Sequence, residues 1–349
     1  MNRQSLTSYG EPLAATQAPL PEPRGSEVLV KVASCGVCHS DLHLQDGFFD
    51  LGEGKRLDIR LGRRLPFTLG HEISGHVEKS GPEAGDIDHR KFYVVYPWCG
   101  CGKCERCNKG QEHLCDAPKQ LGINVDGGYA SHVLVPHPRY LIDAQGVDAR
   151  LAGSYMCSGL TAFSAIRKAE RFLSDKGSLM IVGLGGVGMM GLEIARALSP
   201  ARKFAADISA PKREAALALG AEAAFDPSAA DIRRTVIKQA GQMDAAIDFV
   251  GSEASLNFAQ SVVGKGGAVI VVGLMGGKFS LSVPMFPLRE LTLTGSYVGS
   301  LAEAHELMAL VRDGRIRPIP VHERPLADAN DVLAELRAGS VTGRVILRP

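Results

Sequence analysis

The chain of 349 residues carries 39 Lys and Arg against 38 Asp and Glu, a formal charge of +1, so nothing electrostatic points to nucleic acid or an anionic membrane as its main partner. Its length suggests two domains with ample chain for a core, and 45% hydrophobic with 22% charged residues describes an ordinary soluble globular composition. No apolar run reaches the roughly 18 residues that span a bilayer. The opening MNRQSLTSYGEPLAATQ lacks the apolar stretch of a secretory signal, so the expected compartment is the cytoplasm. Two features stand out: 40 glycines and eight cysteines.

In chain order, residues 26–34 (SEVLVKVAS) alternate as a half-buried strand does. Residues 47–65 hold many charges and glycines and read as a surface loop, and 70–81 (GHEISGHVEKSG) combine strand and turn signals. From about residue 155 the pattern becomes strand–helix alternation. Short apolar runs at 178–183, 245–251 and 268–273 are spaced by amphipathic stretches such as 211–220. Continuous apolar strands bounded by glycine and separated by helices mark a parallel, doubly wound sheet. Past residue 297 a helix-like LAEAHELMALVRDGRI leads through the Pro-containing IRPIPVHERPL to a β-like TGRVILRP. This tail is too short for a domain and is expected to rejoin the N-terminal one.

Four of the eight cysteines fall in CGKCERCNKGQEHLC as Cys101, Cys104, Cys107 and Cys115. The two-residue gaps bring sulfurs together on a tight loop, and C-x2-C-x2-C-x7-C suits tetrahedral Zn2+ with four thiolates, a closed structural site. Disulfides between such close neighbours are strained, and a reducing cytosol disfavours them. An iron–sulfur site satisfies the same softness, and a redox-sensing thiol cluster is the bland alternative. Cys99, two residues before Cys101, is an alternative first ligand.

Part of the glycine excess has a chemical use. The strand SLMIVG runs straight into GLGGVG, which puts Gly183, Gly185 and Gly188 on a G-x-G-x-x-G template with Gly186 and Val187 between, and MMGLEIARAL follows as an apolar helix. The first glycine permits the turn, the second lets a pyrophosphate approach, and the third lets helix and strand pack closely. The helix N-terminus then offers free N–H groups and a partial positive charge. About 20 residues on stands Asp207, whose carboxylate suits ribose hydroxyls and repels a 2′-phosphate. No arginine follows Asp207 immediately, which favours NAD over NADP.

A second metal site is scattered through the first half. CGVCHSDLH supplies Cys38, His39, Ser40, Asp41 and His43, GHE supplies His71 and Glu72, and MCSGLT supplies Cys157. Singly these are weak, since a buried cysteine is usually a small hydrophobe. Two thiolates and an imidazole around one Zn2+ make a catalytic site with an open fourth position. Beside a nicotinamide, that position polarises an alcohol oxygen so that hydride can leave the carbinol carbon.

Taken together these motifs resemble the zinc-dependent alcohol dehydrogenases of the medium-chain dehydrogenase/reductase family, over essentially the whole chain. The family's GHE-x2-G-x5-G signature matches at Gly70, His71, Glu72, Gly75 and Gly81, and the cysteine lobe, CHSD and GLGGVG follow in order and spacing. The resemblance implies an α/β fold in which a Rossmann doubly wound parallel sheet (156–296) is inserted in a GroES-like β-rich catalytic domain (1–155 and 297–349), with cofactor and zinc in the cleft between them. It implies Cys38, His71 and Cys157 as catalytic zinc ligands, Glu72 as an occasional fourth, and Asp41 as the carboxylate that orients His71. Ser40 would take the substrate's hydroxyl proton and pass it through the cofactor ribose to His43. His39 and Arg344 match pyrophosphate contacts, Thr161 and Val187 nicotinamide contacts, Val272, Ser296 and Val298 carboxamide contacts, and Lys212 an adenosine-ribose contact. The same comparison places Leu274 beside the cofactor as well as in the substrate pocket with Phe49, Trp98 and Tyr297. Ser40 in place of a bulkier Thr leaves room for medium, branched or aromatic alcohols.

The implied protein is a cytoplasmic homodimer or homotetramer with NAD, two Zn2+ per chain and a small alcohol, aldehyde or ketone as substrate. The rivals are a metal-free quinone or enoyl reductase of the same fold, which needs no such ligand sets, and a non-enzymatic zinc-ribbon protein that senses NAD. The chain departs from the family before residue 92, where Arg90 and Lys91 replace a usual Gly-Asp pair. Cys35 and Cys99 have no role in this reading.

Overall fold

In a computed structural model that describes residues 1–349, the chain divides into two compact units. The first holds Met1–Phe48, Asp58–Leu160 and Gly299–Pro349, and the second holds Phe49–Leu57 and Thr161–Val298.

The first unit is built on a seven-stranded sheet. Its order is Leu141–Asp143, Phe92–Val95, Glu72–Ser80, Val28–Gly36, Arg344–Arg348 and Val321–Pro325, with His132–Val135 also pairing on Val28–Gly36. The alternation at 26–34 holds only in part: Val28, Val30 and Val32 are buried and Lys31 is exposed, but Leu29, on the Lys31 face, is buried as well. Ile346 pairs with Gly36, which brings the tail strand into the interior of this sheet, between Val28–Gly36 and the edge strand. The stretch IRPIPVHERPL, read only as Pro-containing, holds the strand Val321–Pro325, parallel to Arg344–Arg348 at the sheet's edge, where proline is tolerated.

The second unit is a six-stranded parallel sheet in the order Ala223–Phe225, Arg202–Ala206, Ser178–Val182, Met243–Asp248, Val263–Val271, Thr292–Gly295. Numbered by sequence this is 3-2-1-4-5-6, the doubly wound dinucleotide-binding order. The expected apolar runs are its strands, and 211–220 falls on the helix Ala210–Ala218. Its core packs Met180, Val182, Phe204, Phe225, Met243, Phe258 and Val269 under the helices.

Residues 47–65 differ from a plain loop. Phe48–Asp50 and Arg56–Asp58 pair as a short hairpin, closed by Leu51 N–H on the Lys55 carbonyl at 3.0 Å. Its tip groups with the second unit because the Gly277 N–H donates to the Asp50 carbonyl at 3.3 Å and Lys278 pairs with Glu53 at 2.8 Å. The turn before residue 92 is built on Asp88, which accepts from the Arg90 backbone N–H at 3.0 Å and its Nε at 2.9 Å. The Arg90 guanidinium holds the Asp88 carboxyl down at about 2. No helix is long and apolar enough to cross a membrane.

Candidate active site

Three side chains from three separate segments of the first unit converge. Cys38 caps the N-terminus of the helix His39–Asp46, His71 stands immediately before the strand Glu72–Ser80, and Cys157 follows the 3-10 turn Gly153–Met156. Their ligand atoms all lie within 4.8 Å of one another, and all three residues are buried. Cys38 Sγ and Cys157 Sγ are 3.9 Å apart. Two sulfurs about 2.3 Å from one tetrahedral ion sit roughly 3.8 Å apart, so this spacing suits Zn2+ and not a disulfide. Both ring nitrogens of His71 are buried with no hydrogen-bond partner, a condition a metal ligand on one of them relieves. The Cys157 hydrogen bond and the His71 ring hold the Cys38 thiol well below its usual range, while Cys157 is held well above by the same bond and by burial.

The carboxylates around the triad have distinct partners. Asp41, fully buried at the third position of its helix, accepts the Cys38 backbone N–H at 3.0 Å on Oδ2 and faces His71 Nδ1 with Oδ1 at 3.3 Å. Burial works against the His71 cation, but Asp41 and Cys38 outweigh it and raise its pKa well above the ordinary value. Glu72 is bonded by the Arg344 guanidinium, and its other oxygen is buried without a partner. Burial drives the Glu72 carboxyl upward and Arg344 pulls it only part of the way back. Arg344, which the resemblance associates with pyrophosphate, is only 4% exposed and is turned inward onto Glu72. Ser40 Oγ lies 3.8 Å from Cys38 Sγ, and Trp98 tilts toward His71 with ring centroids 5.6 Å apart. Trp98 Nε1 donates to the Met156 carbonyl at 2.8 Å, so this residue is anchored in the core beside the triad. His39 is exposed and His43 half-buried on the same short helix.

The four cysteines of the lobe form the second cluster, with Sγ separations of 3.5 Å (Cys104–Cys107), 3.7 Å (Cys104–Cys115) and 4.0 Å (Cys101–Cys107). These again match sulfurs around one tetrahedral ion. The N–H groups of Lys103 and Cys104 lower the Cys101 thiol to about 6, which favours the ligating thiolate. Cys99 is fully buried outside the cluster and donates to the Tyr96 carbonyl at 3.5 Å, so the first member is Cys101.

In the second unit the glycine turn has the expected build. Gly183 adopts φ +87°, and a Cβ on Gly188 would strike the Gly183 carbonyl. A Cβ on Gly185 would meet nothing within 4 Å, which leaves the space above it open to a pyrophosphate. Gly185 caps the helix Gly186–Leu198, whose first N–H groups lack intrahelical acceptors. Asp207 immediately follows the adjacent strand Arg202–Ala206, held by the Leu184 N–H at 2.7 Å and the Ser209 N–H at 2.8 Å. Of the remaining expected contacts, Thr161, Val187, Lys212 and Val272 are half-buried, Ser296 and Val298 buried, and Leu274 and Tyr297 exposed. Phe49 is half-buried and lies with Leu274 in the second unit, whereas Trp98 lies in the first.

Two site neighbours carry no sequence signal of their own. Tyr129 donates its hydroxyl to Asp41 Oδ2 at 2.8 Å, and Ser154 Oγ is buried and unpartnered close to Glu72. Only the glycine pair Gly127–Gly128 before Tyr129 hints at close packing there.

Fold and site together define a zinc- and dinucleotide-dependent oxidoreductase. Residues 24–145 match the alcohol dehydrogenase GroES-like domain and 186–313 the zinc-binding dehydrogenase domain. The chain is 38% identical to an NAD-dependent alcohol dehydrogenase of Sulfurisphaera tokodaii and 37% identical to one of Saccharolobus solfataricus, each over the full length of both chains. It superposes on the crystal structure of the alcohol dehydrogenase of Aeropyrum pernix with a TM-score of 0.91 at 30% identity, covering all of both chains. The chain belongs to the zinc-type alcohol dehydrogenases of the medium-chain dehydrogenase/reductase family.

Proposed function

We propose that this enzyme oxidises secondary, branched or aromatic alcohols with NAD, and reduces the corresponding ketones and aldehydes, in the cytoplasm. The observation that carries the reading is the triad of Cys38, His71 and Cys157, whose ligand atoms lie within 4.8 Å of one another while both ring nitrogens of His71 are buried without a hydrogen-bond partner. A metal-free reductase has no use for such a donor set, and a purely structural zinc protein has no use for a three-ligand one. When bound, zinc supplies a Lewis acid at the substrate oxygen and NAD accepts the hydride.

The chain's own residues do the rest. Asp41 holds the His71 ring in its ligating orientation, Ser40 takes the hydroxyl proton, and His43 delivers it toward solvent. Burial and the neighbouring His39 depress the His43 imidazole, which keeps it neutral and able to accept a proton at lower pH. The small side chain of Ser40 leaves space for a substituted carbinol carbon. Asp207, fixed by two backbone N–H groups, presents a negative charge that cannot swing aside for a 2′-phosphate.

The eight unpaired cysteines favour a reducing compartment. A homo-oligomer is favoured by the edge strand Thr292–Gly295, which exposes Leu293 and follows the exposed Val283 and Leu288 in the chain, because an open apolar edge invites a partner.

Metal analysis with a substrate panel tests the proposal. About two zinc per chain, kcat/KM higher for a secondary or benzylic alcohol than for ethanol, and preference for NAD over NADP are expected. Cys38→Ala should abolish turnover while the zinc of the four-cysteine lobe remains. A clear ethanol preference overturns the substrate class, and retained turnover in Cys38→Ala overturns the ligand assignment.

A further inference from the structure

We propose that Tyr129 is a positioning residue for His71, acting through Asp41, and thereby sets how firmly the catalytic metal is held; this rests on the reading of Cys38, His71 and Cys157 as a zinc site. The Asp41 carboxylate is fully buried and divides its oxygens between two tasks. Oδ1 faces His71 Nδ1 at 3.3 Å, while Oδ2 accepts two donors, the Cys38 N–H at 3.0 Å and the Tyr129 hydroxyl at 2.8 Å. Two donors on one oxygen fix the plane of the carboxylate, and that plane aims the other oxygen at the histidine. Burial and the Asp41 charge push the Tyr129 phenol well above its usual value, so it remains a donor.

Tyr129 also braces the backbone that leads into His71. The segment Gly127–Tyr129 runs along Thr68–Gly70 through Gly127 N–H on Thr68 O (2.8 Å), Gly128 N–H on Gly70 O (2.7 Å) and Tyr129 N–H on Leu69 O (2.9 Å). Its ring lies against Gly70, where any Cβ would strike it. One side chain therefore braces the residue that precedes the ligand and orients the carboxylate that faces it. Without the hydroxyl, Oδ2 keeps a single donor and the carboxylate is free to turn. Loss of a partner behind a metal-bound histidine costs on the order of 10–100-fold in metal affinity, and Tyr129 stands one bond further out, so about 10-fold is expected.

The test compares full-length wild type, Tyr129→Phe, Asp41→Asn and the double variant, each loaded with zinc or cobalt. A chelator times release of the more labile metal, and the d–d absorption band of bound cobalt reads the ligand field. Tyr129→Phe should release that metal about 10-fold faster and shift the band, with no further acceleration in the Asp41→Asn background. Release within twofold of wild type, or equal acceleration in the Asn background, overturns the proposal. A measurement that needs no Tyr129 variant labels all seven tyrosines at ring Cζ. One resonance must move on Asp41→Asn, and none moving overturns the proposal equally. A wild-type chain that binds a single metal sinks the zinc reading and this inference together, whereas two metals with unchanged release sink the inference alone.

Discussion

Replacing Arg344 with Met strips the counter-charge from a carboxylate that has no access to water. Glu72 is 0% exposed and Arg344 4% exposed, and the guanidinium donates to one carboxylate oxygen while the other has no partner. Breaking a buried pair from one side costs about 3–5 kcal/mol, because the surviving charge is left uncompensated. With a urea slope of about 3 kcal/mol/M, that lowers the unfolding midpoint by about 1–2 M. The assay is urea unfolding of the metal-loaded protein followed by the fluorescence of Trp98, the only tryptophan, which is buried in the same unit beside His71. Adding Glu72→Gln to Arg344→Met removes the stranded charge and should recover most of the loss. A single variant within about 1 kcal/mol of wild type, or a double variant no better than the single, refutes the argument, since in neither event does an unpaired buried charge carry the cost.

Gly188→Ala drives a methyl into the Gly183 carbonyl, so KM for NAD should rise more than about 10-fold while zinc content is unchanged; unaltered KM refutes the role of this turn. In His43→Ala, kcat should fall on the order of 10²-fold. The wild-type acid limb, set by protonation of a depressed imidazole, should lie below about pH 6.5 and vanish in the variant. Lys91 lies 2.7 Å from Asp143 and holds its carboxyl below the usual range. A depressed carboxylate adds stability above the unfolded aspartate value of about 3.9 and loses it as pH falls through the lower folded value. Lys91→Met should therefore show a slightly lower Tm than wild type at pH 7, since a solvent-screened pair contributes little, and converge with it in acid; a gap constant with pH contradicts this.

The most legible features were those whose chemistry is local in the chain. Cys101 to Cys115 span one short loop, and GLGGVG joins a strand directly to a helix, so spacing alone carries the geometry. Spacing left the choice between Cys99 and Cys101 open, because both fit a tight loop; burial decides it, by turning Cys99 to the Tyr96 carbonyl. The triad needed the family resemblance, since each member is ordinary by itself and Cys38 and Cys157 are 119 residues apart. Tyr129 and the inward turn of Arg344 were hidden for a different reason. Each acts through a side-chain bond to a residue distant in the chain, 88 and 272 positions away, and no periodicity encodes which hydroxyl or guanidinium will meet which carboxylate. The hairpin within 47–65 escaped because its strands are short and largely exposed, leaving little apolar alternation to see.

The interior place of the strand Arg344–Arg348 bears on how the molecule is made. A ribosome delivers the four cysteines of the lobe within one short stretch, so that metal can be captured while most of the second unit is still untranslated. The carboxylate beside the triad waits much longer, since its guanidinium lies 272 residues further along the chain. Until that strand arrives and pairs with Val28–Gly36, the buried side of Glu72 has no cation to meet. Nascent chains should therefore mature in a set order, with the lobe first and the reactive centre only after the closing strand.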